Sequence, residues 1–131
     1  MFLSVRPKIL VVDDEPMNVE LLEAYLISDY DIIAAYSGSE ALEMVVSGKP
    51  DMVLLDVMMP DMNGYQVCEK IKQSAETQFI PVVLVTALSG REDRLKGMGS
   101  HADDFLTKPV DRLELKMRVT SLLRIKSLHD K

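Results

Sequence analysis

Asp13, Asp14, Asp56, Thr86 and Lys108 are scattered along the chain, yet each stands at or just after a short apolar run. Three carboxylates brought together raise one another's proton affinity unless a cation intervenes. Oxygen-only ligands select a hard cation, and Mg2+ commonly takes one or two carboxylates, a carbonyl and waters. The charges of three carboxylates, a divalent cation and one lysine sum to zero. A site so balanced can receive a phosphoryl group: metal and lysine neutralise its oxygens, and a hydroxyl such as that of Thr86 bonds one of them. An aspartate can itself be the acceptor, forming an acyl phosphate. Each residue alone also has a plain structural reading. Asp14 or Glu15 could cap a helix opening at Pro16, Asp56 could start a turn, Thr86 suits a strand, and Lys108 could be a solvated loop lysine.

The elements that must position these residues decide between the readings. Apolar runs at Ile9–Val12, Ile32–Tyr36, Met52–Leu55, Val82–Val85 and Phe105-Leu106 are rich in Val, Ile and Leu and mostly lack alternation, as strands buried on both faces do. Helical signals lie between and after them. The first helix opens at Pro16. The second follows the capping-box pattern Ser37-Gly38-Ser39-Glu40 and ends near Gly48. The third starts after Asn63-Gly64, the fourth covers about Ser89 to Met98, and the fifth begins at Asp111 with Glu114 three residues on. Five strand–helix repeats predict an α/β fold, a doubly wound parallel sheet with helices on both faces. In such a sheet every strand ends on one edge, where ligands bind, and all the polar residues above fall on it.

The chain has 131 residues, of which 47% are hydrophobic and 27% charged, enough for one domain with its own core. Its net charge of −6 argues against direct binding to nucleic acid or an anionic membrane. No apolar run is long enough for a membrane helix. The single cysteine, Cys68, cannot form an internal disulfide, which fits a cytoplasmic location. Several residues carry only structural readings: Cys68 as a small buried hydrophobe, the nine methionines as core or surface filler, and Lys70 and Lys72 as an exposed helix face. Asn63-Gly64 is read as a turn whose glycine permits close backbone packing, and His101 as an exposed loop histidine.

At these positions the sequence resembles the receiver domains of bacterial-type two-component response regulators, over residues 8 to about 125. The likeness rests on Val11-Val12-Asp13-Asp14-Glu15, on Leu54-Leu55-Asp56-Val57-Met58-Met59-Pro60 with Met62-Asn63-Gly64, on Val85-Thr86-Ala87, and on Asp103-Asp104-Phe105-Leu106-Thr107-Lys108-Pro109. It implies a flavodoxin-like five-stranded sheet of order 2-1-3-4-5 flanked by five helices. It implies that Asp56 is the phosphate acceptor. Asp14, Asp56 and the backbone carbonyl of Met58 then hold Mg2+ directly, and Asp13 does so through water. Thr86 and Lys108 meet the phosphoryl oxygens, Phe105 is the switch aromatic, and Pro109 follows a cis peptide bond. One departure stands out: His101 occupies a place where many receivers have glycine, which predicts a frayed or displaced end to the fourth helix and weak exchange protection over 95–101.

The function implied is a phosphorylation switch. A sensor histidine kinase or phosphotransfer protein donates to Asp56, and the surface of the fourth helix, fifth strand and fifth helix changes. Asp104 and Arg118 match positions that make dimer contacts in some receivers, so a homodimer through that surface is a further expectation. The chain is then not an enzyme in the ordinary sense; it catalyses only its own phosphorylation and slow dephosphorylation. Two competitors remain. A hydrolase of the haloacid-dehalogenase type shares the metal, nucleophile, Thr and Lys, but needs an acid two residues after the nucleophile, where this chain has Met58. The other is a receiver that binds partners without being phosphorylated. Residues 1–7 read as an N-terminal extension and 8–125 as the receiver domain. Residues 126–131 read as a C-terminal helix extension or the start of a linker to a covalently attached output domain.

Overall fold

In a computed structural model, which describes residues 6–87 and 91–129, side chains alternate between two cores along every central strand. The strands are β1 (Lys8–Val12), β2 (Asp31–Ala35), β3 (Met52–Asp56), β4 (Val82–Thr86) and β5 (Asp104–Thr107). All pair in parallel, in the order β2-β1-β3-β4-β5. The helices are α1 (Pro16–Leu26), α2 (Gly38–Ser47), α3 (Gly64–Gln73), α4 (Arg91–Gly99) and α5 (Arg112–His129). Ile9, Val11, Met52, Leu54, Val83 and Val85 pack against Val19, Leu22 and Leu26 of α1 and Leu115 and Val119 of α5. Leu10, Val12, Val53, Leu55, Val82 and Leu84 pack on the other face against Ala41 and Val45 of α2 and Val67, Cys68 and Ile71 of α3. The uninterrupted apolar runs follow from this double coverage. The edge strand β2 is only partly buried.

Helix starts obey local chemistry, with three departures from the sequence reading. Neither Asp14 nor Glu15 caps α1 through its side chain; Pro16 at the first helical position has no N–H to satisfy. The Asp13 carboxylate instead accepts from the Glu15 N–H at 3.0 Å. Ser37 caps α2 by accepting from the Glu40 N–H, but the Glu40 carboxylate accepts from Tyr36 rather than from Ser37. Asn63 is more than a turn residue: with Gln66 it forms a full capping box at the start of α3.

The end of α4 is closed rather than frayed. The His101 N–H donates to the Met98 carbonyl at 3.0 Å and the Ala102 N–H to the Gly97 carbonyl at 3.5 Å, the two bonds of a Schellman turn. His101 takes the left-handed position itself, at φ 67°. The predicted start of this helix near Ser89 lies outside the described residues. A second correction concerns Lys72. Its side chain is not a solvated face: it is largely buried and its ammonium pairs with Asp103 at 2.7 Å. It also donates to the Ile80 carbonyl at 2.7 Å, while Asp103 accepts from the Val82 N–H, so this cluster ties α3, β4 and the α4–β5 turn together.

The Arg6 guanidinium donates to the Ile27 and Tyr30 carbonyls. α5 continues through residues 125 and 126 without a break, and Lys126 reaches Asp51 at 3.8 Å. Among the described residues, no helix is long and apolar enough to cross a membrane.

Candidate functional site

The order in which strands are added reverses at β1 and β3, so the crevice at their C-terminal ends is the natural ligand site of this topology. Asp13 leaves β1 there and Asp56 ends β3. The two are nearly inaccessible, at 2% and 4% exposure, whereas Asp14 points into solvent. Ligand atoms of Asp13, Asp14 and Asp56 lie within 4.8 Å of one another. Thr86, buried at the end of β4, stands one residue beyond Val85, the register partner of Asp56.

Lys108 closes the group from the far side. Its backbone N–H donates to the Thr86 carbonyl at 2.8 Å, which fixes where its side chain starts. Its ammonium donates to Asp56 Oδ1 at 2.9 Å and to Asp13 Oδ2 at 3.0 Å. The Lys108–Pro109 peptide bond is cis, as the resemblance implied. Met58 lies two residues past Asp56, with its side chain exposed. The return of this loop is tight. The Gly64 N–H donates to the Val57 carbonyl at 2.9 Å, and a Cβ on Gly64 would stand 2.4 Å from the Asp56 carbonyl oxygen. The expected close backbone approach at Gly64 is therefore observed. Asp61, anticipated by no pattern, anchors the same loop to the start of α2 by accepting from the Ser39 hydroxyl at 3.2 Å.

The electrostatics follow from burial. Burial pushes the Asp56 carboxyl above its ordinary value; the negative Asp13 and Asp14 push the same way, and Lys108 only partly offsets them. For Lys108, burial works against its charge, but the hydrogen bonds to Asp56 and Asp13 outweigh it and hold the ammonium above its ordinary value. Three carboxylates, two of them buried, against one ammonium leave a formal excess of two negative charges. That donor set, all oxygen with two buried carboxylates, fits a hard divalent cation. An apolar groove of about 360 Å³ runs beside it, lined by Asn18, Leu21 and Leu22 of α1 and by Pro109 and Val110.

Phe105 does not point freely outward. It is half-buried and packs against the core on the α2–α3 face, its ring in contact with Gly97. Asp104 and Arg118 form an ion pair at 2.8 Å within the chain.

Comparison with known proteins agrees with this geometry. Residues 9–120 match the family described as response regulator receiver domain. The chain is 52% identical over 124 residues to the response regulator PleD of Caulobacter vibrioides, covering 94% of this chain and 27% of that protein. It is 39% identical over 119 residues to RpaA of Synechocystis, a DNA-binding dual master transcriptional regulator, covering 90% of this chain and 49% of that one. The chain thus spans about a quarter to a half of these relatives' length. Among solved structures, the signal receiver domain of a signal transduction histidine kinase from Syntrophus aciditrophicus superposes with a TM-score of 0.84 at 35% identity, covering 90% of each chain. The flavodoxin-like sheet, the acidic crevice and the match over residues 9–120 lead to one assignment: the chain belongs to the response regulator receiver domain family.

Proposed function

We propose that this receiver domain is a switch charged by phosphoryl transfer to Asp56. The observation that carries the reading is the pairing of one ammonium, Lys108, with two buried carboxylates beside a third. In the proposed step a carboxylate oxygen of Asp56 attacks the phosphorus of a partner's phosphohistidine. The P–O bond forms as the P–N bond breaks; the electron pair returns to the imidazole nitrogen, which takes a proton from water. Asp13, Asp14 and Asp56, with the carbonyl of Met58, would hold Mg2+, which neutralises and orients phosphoryl oxygens when bound. Lys108 moves from the carboxylate oxygen of Asp56 to a phosphoryl oxygen, and the Thr86 hydroxyl bonds another. Met58 offers no acid or base, so hydrolysis of the acyl phosphate is slow and the chain acts as a switch, not a phosphatase.

Family membership supports a sensor histidine kinase or phosphotransfer protein as donor, hence a cytoplasmic setting. The relatives' greater length supports an output domain elsewhere in the same polypeptide. The donor's helices would seat on the groove beside Lys108. Incubation with acetyl phosphate and Mg2+, read by intact mass, is expected to add about one phosphoryl group per chain and none to Asp56→Asn. Equal uptake by that variant, or many equivalents of phosphate released per chain, contradicts the reading.

Charging would change the α4–β5–α5 surface through Phe105. That surface exposes Leu95, Met98, Leu113 and Met117 and carries the Asp104–Arg118 pair, which supports homodimerisation there. Sedimentation with Mg2+ and beryllofluoride should shift the parent toward dimer and leave Arg118→Ala monomeric; an unchanged parent argues against the dimer.

A further inference from the structure

A cross-element contact lies behind the proposed switch residue. A Cβ placed on Gly97 would fall 2.0 Å from Phe105 Cε1, 2.6 Å from Cζ and 3.1 Å from Cδ1. Among the described residues, no other glycine would meet an aromatic ring. Gly97 is the buried position of α4 among those whose burial is described, and Ser100 just after the helix is buried too, so the helix end sits down on the domain where the ring lies.

Neither backbone can readily retreat. The Gly97 carbonyl accepts from the Ser100 N–H at 3.1 Å, from the Ser100 hydroxyl and from the Ala102 N–H at 3.5 Å, all bonds of the helix C-terminus. Phe105 is held in register opposite Leu84 in the sheet. What can yield is the ring, by rotating about its own side-chain torsions into another staggered well. With no hydroxyl to anchor it, a phenylalanine ring is held by packing alone.

We infer that Gly97 is the seat of Phe105: the missing side chain in the last turn of α4 is what makes the inward ring position available, and thereby sets the balance between the two states of the α4–β5–α5 surface. Gly97 is a positioning residue that acts through Phe105 and touches no group of the acidic crevice. The inference rests on the switch reading, but its test separates the two.

The test uses the chain labelled with 4-fluorophenylalanine. Its three phenylalanines give three fluorine signals, that of Phe105 assigned by Phe105→Leu. The exposed Phe79 serves as an internal standard for solvent access. In Gly97→Ala the H2O/D2O isotope shift of the Phe105 signal should rise toward that of Phe79, with and without Mg2+ and beryllofluoride, while phosphoryl uptake from acetyl phosphate stays at the parent level. An isotope shift equal to the parent's overturns the inference. Loss of uptake in Gly97→Ala alone also overturns it, because the glycine would then serve the crevice itself. Failure of the parent to take up phosphate sinks the switch reading but leaves the seat to a second measurement. Alanine is the better helix former. Gly97→Ala should therefore lower Tm when Phe105 is present and raise it in a Phe105→Ala background. A lower Tm in both backgrounds overturns the seat. Should Gly97→Ala not fold, folding of the double variant supports the seat and its failure to fold overturns it.

Discussion

Asp56 is placed where burial works against its own charge, and that tension has a measurable sign. Its folded-state carboxyl is raised above the ordinary value of 3.8, first by burial and then by Asp13 and Asp14. The folded state therefore binds the Asp56 proton more tightly than the unfolded chain does. By linkage, stability attached to this group falls as pH rises from 3.8 through the raised value. Asn at this position cannot ionise and can still accept from Lys108. Without divalent cations, Asp56→Asn should melt above the parent at pH 7, with the gap closing as pH falls toward 3.8. Thermal melts across that range check it; a variant less stable than the parent at pH 7 would contradict the burial argument. The residue scale is also where the sequence was most legible. Asp13, Asp14, Asp56, Thr86 and Lys108 follow apolar runs, and the topology collects them on one edge. Lys72 was not legible. A lysine in a polar helical stretch reads as solvated, and its partner Asp103 lies 31 positions away in a different turn, invisible to local pattern.

At the scale of elements, α4 is the instructive case. Gly97, Gly99 and His101 together predict a loose helix end, because glycine weakens helices and a side chain resists the left-handed cap. Tertiary contacts reverse this. Gly97 makes room for the Phe105 ring, and the Schellman bonds form with His101 in the left-handed position. That position costs a non-glycine residue about 1–2 kcal/mol. Glycine would relieve the strain but give back roughly 0.4–1 kcal/mol through the freer unfolded chain. His101→Gly should therefore stabilise the domain by about 0.5–1 kcal/mol, as urea unfolding can measure. Destabilisation would mean that the imidazole makes contacts that outweigh the strain. The strands were easier, since β1, β3 and β4 are covered on both sides and leave continuous apolar runs. The capping roles of Asn63 and Glu40 were less so, because a turn and a cap use the same residue types and differ only in which N–H is reached.

For the whole molecule, the sheet order puts β1 beside β3 and so turns residues separated by more than ninety positions into neighbours: Lys108 and Asp13 are in hydrogen-bond contact. The two cores on either face of the sheet leave its C-terminal edge as the place where polar side chains gather. The same architecture joins that edge to the outer surface through Thr86, β5 and Phe105 beneath α4. In the proposed switch, a phosphoryl group would matter to that surface only by favouring one of two states over the other. The most direct test of this account is a crystal structure grown with Mg2+ and beryllofluoride. It should show the fluoride complex on the Asp56 carboxylate, the metal among Asp13, Asp14, Asp56 and the Met58 carbonyl, and Lys108 turned from Asp56 to a fluorine. Clear density for a crevice without either group, with Lys108 still bridging Asp13 and Asp56, would contradict it.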